Sequence, residues 1–130
     1  MITALALMCA FHHQACKFGD ATIIAKAVDN VVTDERLKSL VVTYIGKESW
    51  FQIHPKGESW DAKALVSCGI LQMPCEFVRH STLEMQVTTW LKWVAQSSLA
   101  SVDSDPVRAW KRARLAERIL EKARANGTSN

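Results

Sequence analysis

Apolar residues recur at intervals of three and four along most of the chain, a period that commits it to helices, each burying one face against the others. The first such segment covers residues 2–17 and is broken by Gly19-Asp20; the second covers residues 21–32, with Ile24, Ala25, Val28 and Val31 on one side. Thr33 suits the N-cap of a third helix, whose first turn carries Asp34 and Glu35 where the helix dipole favours negative charge. The face of that helix is Leu37, Leu40, Val41, Tyr44 and Ile45, and the next position in the series is Glu48. Between Phe51 and Gly69 the period lapses, with a turn at His54-Pro55-Lys56-Gly57; irregular segments of such length commonly carry function. A fourth helix is expected from Ser81 or Thr82 to Ser98, burying Leu83, Val87, Trp90, Leu91 and Val94. Asp105-Pro106 opens a last helix that stops before Gly127. The 130 residues, 48% apolar and poor in Gly and Pro, suffice for one core and fall short of two ordinary domains. The expected fold is mainly α: a single domain over residues 1–125 of about five helices, with an irregular segment and short β element forming one cleft wall. A flexible tail is expected at residues 126–130.

Sixteen Lys and Arg against thirteen Asp and Glu leave a formal +3, too mild to imply a specific nucleic-acid partner. The excess is concentrated, since residues 107–124 hold seven basic side chains against Glu117 and Glu121. One cationic helix can face an acidic polymer, a membrane surface or a nucleic acid, although a solvated face is the commoner meaning. No run approaches the roughly 18 apolar residues of a membrane span, so no transmembrane segment is expected. The apolar opening, residues 1–10, lacks a basic flank and is read as a first buried helix rather than a signal peptide. Cys9, Cys16, Cys68 and Cys75 are even in number without making the chain disulfide-dense. On a continuous helix Cys9 and Cys16 would stand roughly 10 Å apart and could not bridge. Cys9, His12, His13 and Cys16 share one helix face at a spacing that zinc could use, but buried free cysteine is ordinary core, and neither metal nor cofactor is expected.

Glu48 is the candidate with chemistry. A carboxyl group that continues an apolar stripe is costly to ionise, so its pKa is expected to rise and leave it able to donate a proton; the C-terminal end of the helix dipole works in the same direction. A Glu at a helix end can equally turn out to solvent. Glu58 is a rival, because Glu58-Ser59-Trp60 repeats Glu48-Ser49-Trp50, but it follows Pro55-Lys56-Gly57 and nothing in its local sequence would desolvate it.

The surrounding pattern favours Glu48. The apolar run Leu40-Val41-Val42-Thr43-Tyr44-Ile45-Gly46-Lys47-Glu48-Ser49-Trp50, then a loop, then Gly69-Ile70-Leu71-Gln72-Met73-Pro74, resembles the catalytic core of the transglycosylase SLT family of lysozyme-like domains. In that family an apolar helix ends in Glu-Ser, a variable loop follows, and a Gly-Leu-Met-Gln type motif lines the glycan cleft. The resemblance spans residues 37–74 and implies a lysozyme-like fold. It makes Glu48 the general acid/base, with Ser49 helping to orient its carboxyl. Gly69 and Ile70 would let the backbone approach sugar, and Gln72 would exchange hydrogen bonds with hydroxyl or acetamido groups. Trp50, Phe51 and Trp60 could stack on sugar rings, although a core position suits a tryptophan as well.

Two departures stand out. The interval from Glu48 to Gly69 is longer than the family's usual spacing. The family also often carries an Ala-Tyr-Asn-Ala-Gly type motif near its end, and residues 99–106 contain neither Tyr nor Asn. The single tyrosine, Tyr44, is expected in the core; Asp105 is expected to cap the last helix and Asp103 to be solvated rather than to act as a second carboxylate. The resemblance implies a peptidoglycan lytic transglycosylase cleaving the linkage between N-acetylmuramic acid and N-acetylglucosamine, without a cofactor. The alternatives are a lysozyme-type hydrolase of the same bond, or a lysozyme-like binding or structural component of a virion or envelope complex. The expected partners are glycan strands and other virion or envelope-spanning proteins. The expected place of action is the bacterial cell wall or periplasm, reached by way of a bacteriophage particle or another delivery machine.

Overall fold

The computed structural model describes residues 1–55 and 67–128. Among these, seven helices and one two-stranded sheet account for nearly all regular structure. Helix α1 (Ala4–Phe11) is capped by the Thr3 hydroxyl, which accepts the Ala6 N–H, and it ends at His12 rather than continuing to Lys17. A single 3-10 turn (Ala15–Lys17) then doubles the chain back. This break corrects the spacing argument for the cysteines: with the helix interrupted, Cys9 and Cys16 have their Cα atoms 5.0 Å apart and form a disulfide. Cys68 pairs with Cys75, so all four cysteines are bridged and no thiolate is left for zinc.

Helix α2 (Ala21–Val31) buries Ile24, Ala25, Ala27 and Val28. Helix α3 (Glu35–Ser49) is capped one residue later than the sequence suggested, by Asp34, whose carboxylate accepts the Leu37 N–H at 2.9 Å. Its buried face is Val41, Val42, Tyr44 and Ile45, while Leu37 turns outward and is 45% exposed. Gly46 sits where the helix meets two aromatic rings: a Cβ there would lie 2.7 Å from Phe11 and 2.9 Å from Phe51. Trp50 terminates the helix in the left-handed region, φ 52°, a conformation usually left to Gly or Asn.

Strands β1 (Ser67–Cys68) and β2 (Met73–Pro74) pair antiparallel, Ser67 opposite Pro74 and Cys68 opposite Met73. Their connection needs positive φ at Gly69 (85°) and Gln72 (51°), and the Cys68–Cys75 disulfide closes its base. Helix α4 (Cys75–Val78) follows, then α5 (Leu83–Gln96), capped by Thr82. Helix α6 (Leu99–Asp103) is capped by Ser98 and has no counterpart in the helical pattern of the sequence. Helix α7 (Pro106–Thr128) starts where Asp105 accepts the Arg108 N–H at 3.1 Å, and it runs past Gly127 and past Ala125, where a tail was expected.

Helix α1 is central, packed against α2, α3 and α7, while α3 lies along α7 and α2 against α5. Polar ties cross these seams. The Ser39 hydroxyl donates to the Ala116 carbonyl at 2.6 Å, and buried Lys38 meets Asp29 at 2.8 Å and the Ile2 carbonyl at 3.1 Å. Glu35 accepts the Ile2 N–H and pairs with Arg124, and these two contacts hold its carboxyl below the usual range. Among the described residues, no helix is long and apolar enough to cross a membrane.

Candidate active site

The last two turns of α3 present Tyr44 and Glu48 on one side, four residues apart. Both line a cleft of about 400 Å³ whose opposite wall is the β1–β2 connection, with Leu71, Gln72 and Pro74, and whose roof is Trp90 and Trp93 of α5. Helix α6 and the start of α7 close the far end with Asp103, Ser104 and Arg108. A larger hollow of about 500 Å³ runs between α3 and α7 near Leu37 and Leu40, and none of the candidate catalytic or sugar-binding residues lines it.

Charge in the cleft is organised around Asp103. Its side chain is fully buried; one oxygen accepts the Tyr44 hydroxyl at 2.5 Å and the other accepts Arg108 Nε at 2.5 Å. Arg112, one turn further along α7, stands 3.6 Å from Asp103 and donates to Glu48 Oε1 at 2.6 Å. The same guanidinium lies over the Tyr44 ring, 5.0 Å from its centroid, a cation–π contact. Two carboxylates and two guanidiniums thus balance around one phenol. Burial first, and the Asp103 carboxylate second, push the Tyr44 hydroxyl well above its usual range, while hydrogen bonding to Asp103 pushes Arg108 upward as well.

No family model, curated protein or solved structure matches this chain.

Glu48 and Gln72, from separate parts of the sequence, line the same cleft. The other expected residues are placed differently. The apolar setting expected of Glu48 is absent, since Arg112 meets its carboxylate and the side chain is 28% exposed. Ser49 is buried and donates to the Ile45 carbonyl at 2.9 Å, the ordinary back-bond of a helical serine, so it does not orient the Glu48 carboxyl. Gly69 supplies the left-handed turn, and Ile70 is wholly buried, with its N–H donating to Gln86 Oε1 at 3.0 Å. Neither lines the cleft; Leu71 and Gln72 are the residues of this turn that do, and the Gln72 amide nitrogen donates to the Gly69 carbonyl at 2.8 Å. Trp50 packs into an aromatic cluster with Phe11 (5.7 Å), His12 (5.3 Å) and Phe18 (6.1 Å), outside the cleft lining. Trp60 and the rival Glu58 lie outside the described residues.

Asp105 caps α7 as expected, but Asp103 is buried rather than solvated, and Tyr44 is a core residue whose hydroxyl reaches the site. Arg108, Arg112 and Trp93 went unrecognised in the sequence. A signal existed for Arg112: it falls on the buried stripe of α7 that includes Ala109, Ala116 and Ile119, and a cation in such a stripe requires a buried partner.

Among the described residues, the arrangement leaves one carboxylate able to act on a ligand. Asp103 is occupied by its donors and serves as an anchor, whereas Glu48 has a single paired oxygen in these contacts and partial access to the cleft. Trp93, partly exposed over buried Trp90, adds apolar surface to the polar side chains of the cleft, a combination suited to the faces and hydroxyls of a sugar.

Proposed function

We propose that this protein is a peptidoglycan lytic transglycosylase in which Glu48 is the general acid/base. The observation that carries the reading is that Glu48 and Gln72, the polar residues of the two segments resembling the transglycosylase SLT family, line one cleft roofed by tryptophan. In the reaction Glu48 protonates the glycosidic oxygen and then accepts the proton of the C6 hydroxyl of N-acetylmuramic acid, whose oxygen closes a 1,6-anhydro ring. That chemistry uses one carboxylate twice, whereas ordinary hydrolysis uses two. A cleft whose second carboxylate is held by Tyr44 and Arg108 suits the first scheme better than the lysozyme-type one. The contact with Arg112 has to open before the Glu48 carboxyl can turn to a glycosidic oxygen. Two disulfides support action in an oxidising setting such as the periplasm or the exterior of the cell.

A second reading, a lysozyme-like module that binds the wall without cleaving it, is favoured by the same Arg112–Glu48 pair and by the lack of Tyr or Asn in residues 99–106. Digestion of murein sacculi followed by mass spectrometry separates the two. Anhydro-muropeptides released by the wild type and lost with Glu48→Gln support the transglycosylase. Reducing-end products would assign a hydrolase, and binding without turnover, unchanged in Glu48→Gln, would assign the binding module.

A further inference from the structure

From the outer face of α7 we infer a second function: peripheral attachment to an anionic phospholipid surface. This inference does not depend on what the cleft does. Val107, Trp110, Lys111, Arg114, Arg118 and Lys122 recur at three, one, three, four and four along the helix and are all exposed. They form a single stripe about 22 Å long at the helical rise. The opposite face, with Ala116 and Leu120, is buried against the body, so the stripe points straight outward and cannot turn in.

Its composition is what distinguishes it from an ordinary solvated face. Val107 and Trp110 are 63% and 64% exposed, and among the described residues only Met1 leaves a large apolar side chain more open. The Arg114 guanidinium covers the Trp110 ring, 5.8 Å from its centroid, so the aromatic group is embedded in positive charge. Two acids share this face, Glu121 within the stripe and Glu117 at its edge, 3.6 Å from Arg114, and the four cations outnumber them. Arg112 and Arg124 are not part of this surface, being paired with Glu48 and Glu35.

Charge complementarity calls for an anionic partner. The exposed tryptophan and valine favour a bilayer over a soluble polyanion, because indole partitions into the headgroup region and cations beside it gain from an anionic leaflet, while a chain of phosphates would leave both apolar groups in water. The attachment is weak and reversible, resting on a few cations and one indole without a lipid chain.

Co-sedimentation of the full chain tests this with two vesicle preparations, phosphatidylcholine alone and phosphatidylcholine with a third of the lipid replaced by phosphatidylglycerol. The expected result is binding to the anionic vesicles only, reversed by high salt. Lys111→Glu with Arg118→Glu is expected to weaken binding by at least about tenfold, since each cation near such a surface contributes on the order of fivefold. Trp110→Ala is expected to weaken it several-fold at unchanged charge. These side chains are exposed, so each variant should keep the wild-type circular dichroism and melting temperature, and that check accompanies the assay. No binding to anionic vesicles, or equal binding to neutral ones, overturns the inference. So does a Trp110→Ala variant that binds like wild type while soluble polyphosphate or duplex DNA competes fully, an outcome that would mark the stripe as a polyanion site.

Discussion

Replacing Asp103 by Asn tests the cleft at its anchor. The side chain is fully buried and holds the Tyr44 hydroxyl and Arg108 Nε, with Arg112 at 3.6 Å. The amide keeps the shape but removes the charge, and it turns a donor toward groups that are themselves donors. Breaking a buried ion pair from one side costs about 3–5 kcal/mol. That figure is discounted here, because Arg108 is 47% exposed and can turn to water, and Arg112 retains Glu48 at 2.6 Å. The expected loss is about 2–3 kcal/mol. Tyr44→Phe keeps the ring beneath Arg112 and removes one hydrogen bond to a charged acceptor, for about 1.5–2 kcal/mol. Because both changes act on the same bond, weakened in one case and deleted in the other, the double variant should be less destabilised than the two losses added together, by about 1 kcal/mol or more. Urea denaturation with the disulfides intact, followed by circular dichroism, measures all four corners of the cycle, and unchanged slopes confirm that stability alone has moved. If Asp103→Asn falls within about 0.5 kcal/mol of the wild type, or the two effects simply add, the account of Asp103 as the organising charge is wrong.

Tyr44 is the single tyrosine, so its ionisation can be followed directly by near-ultraviolet tyrosinate absorbance. With its folded-state pKa raised, the folded chain keeps a proton that the unfolded chain releases near pH ~10. The contribution of this residue to stability is therefore intact below about pH 10 and declines above it; tyrosinate absorbance should lag in the folded protein and appear at the ordinary pH in urea. Gly46→Ala would push a methyl group into the Phe11 and Phe51 rings and should destabilise by about 1–3 kcal/mol in the same denaturation assay. Cys68→Ser with Cys75→Ser opens a short loop and should cost ~2.5 kcal/mol by loop-closure entropy, with faster protease cleavage in the β1–β2 connection than elsewhere as the local readout.

The long helices were legible because they obey a single period. The span of α2, the Thr82 cap of α5 and the Asp105-Pro106 start of α7 follow from apolar spacing and cap chemistry alone. What escaped depended on partners distant in sequence or on short segments. Helix α6 has five residues, too few to show a period, yet it delivers Asp103. The break after Phe11 lies in a run that remains apolar, and the disulfide that exploits it is invisible to an argument assuming a continuous helix. The apolar stripe leads to Glu48 at the end of α3, but the guanidinium beside it comes from α7, and no local pattern reports that pairing. Ser49 and Ile70 show the limit of carrying roles along a motif, since adjacent residues on a helix or a tight turn face different ways: Glu48 and Leu71 line the cleft, and their neighbours Ser49 and Ile70 do not.

The same long-range pairing bears on how the protein is made. Arg112, the partner of Glu48, lies 64 residues after it in the chain, beyond every described residue that lines the cleft. During synthesis α3 and the β1–β2 connection leave the ribosome first, with Glu48 present and its counter-charge still untranslated. The site is therefore charge-unbalanced until α7 has emerged and docked along α3, which makes assembly of the cleft one of the final events in folding and keeps a nascent chain without a finished site.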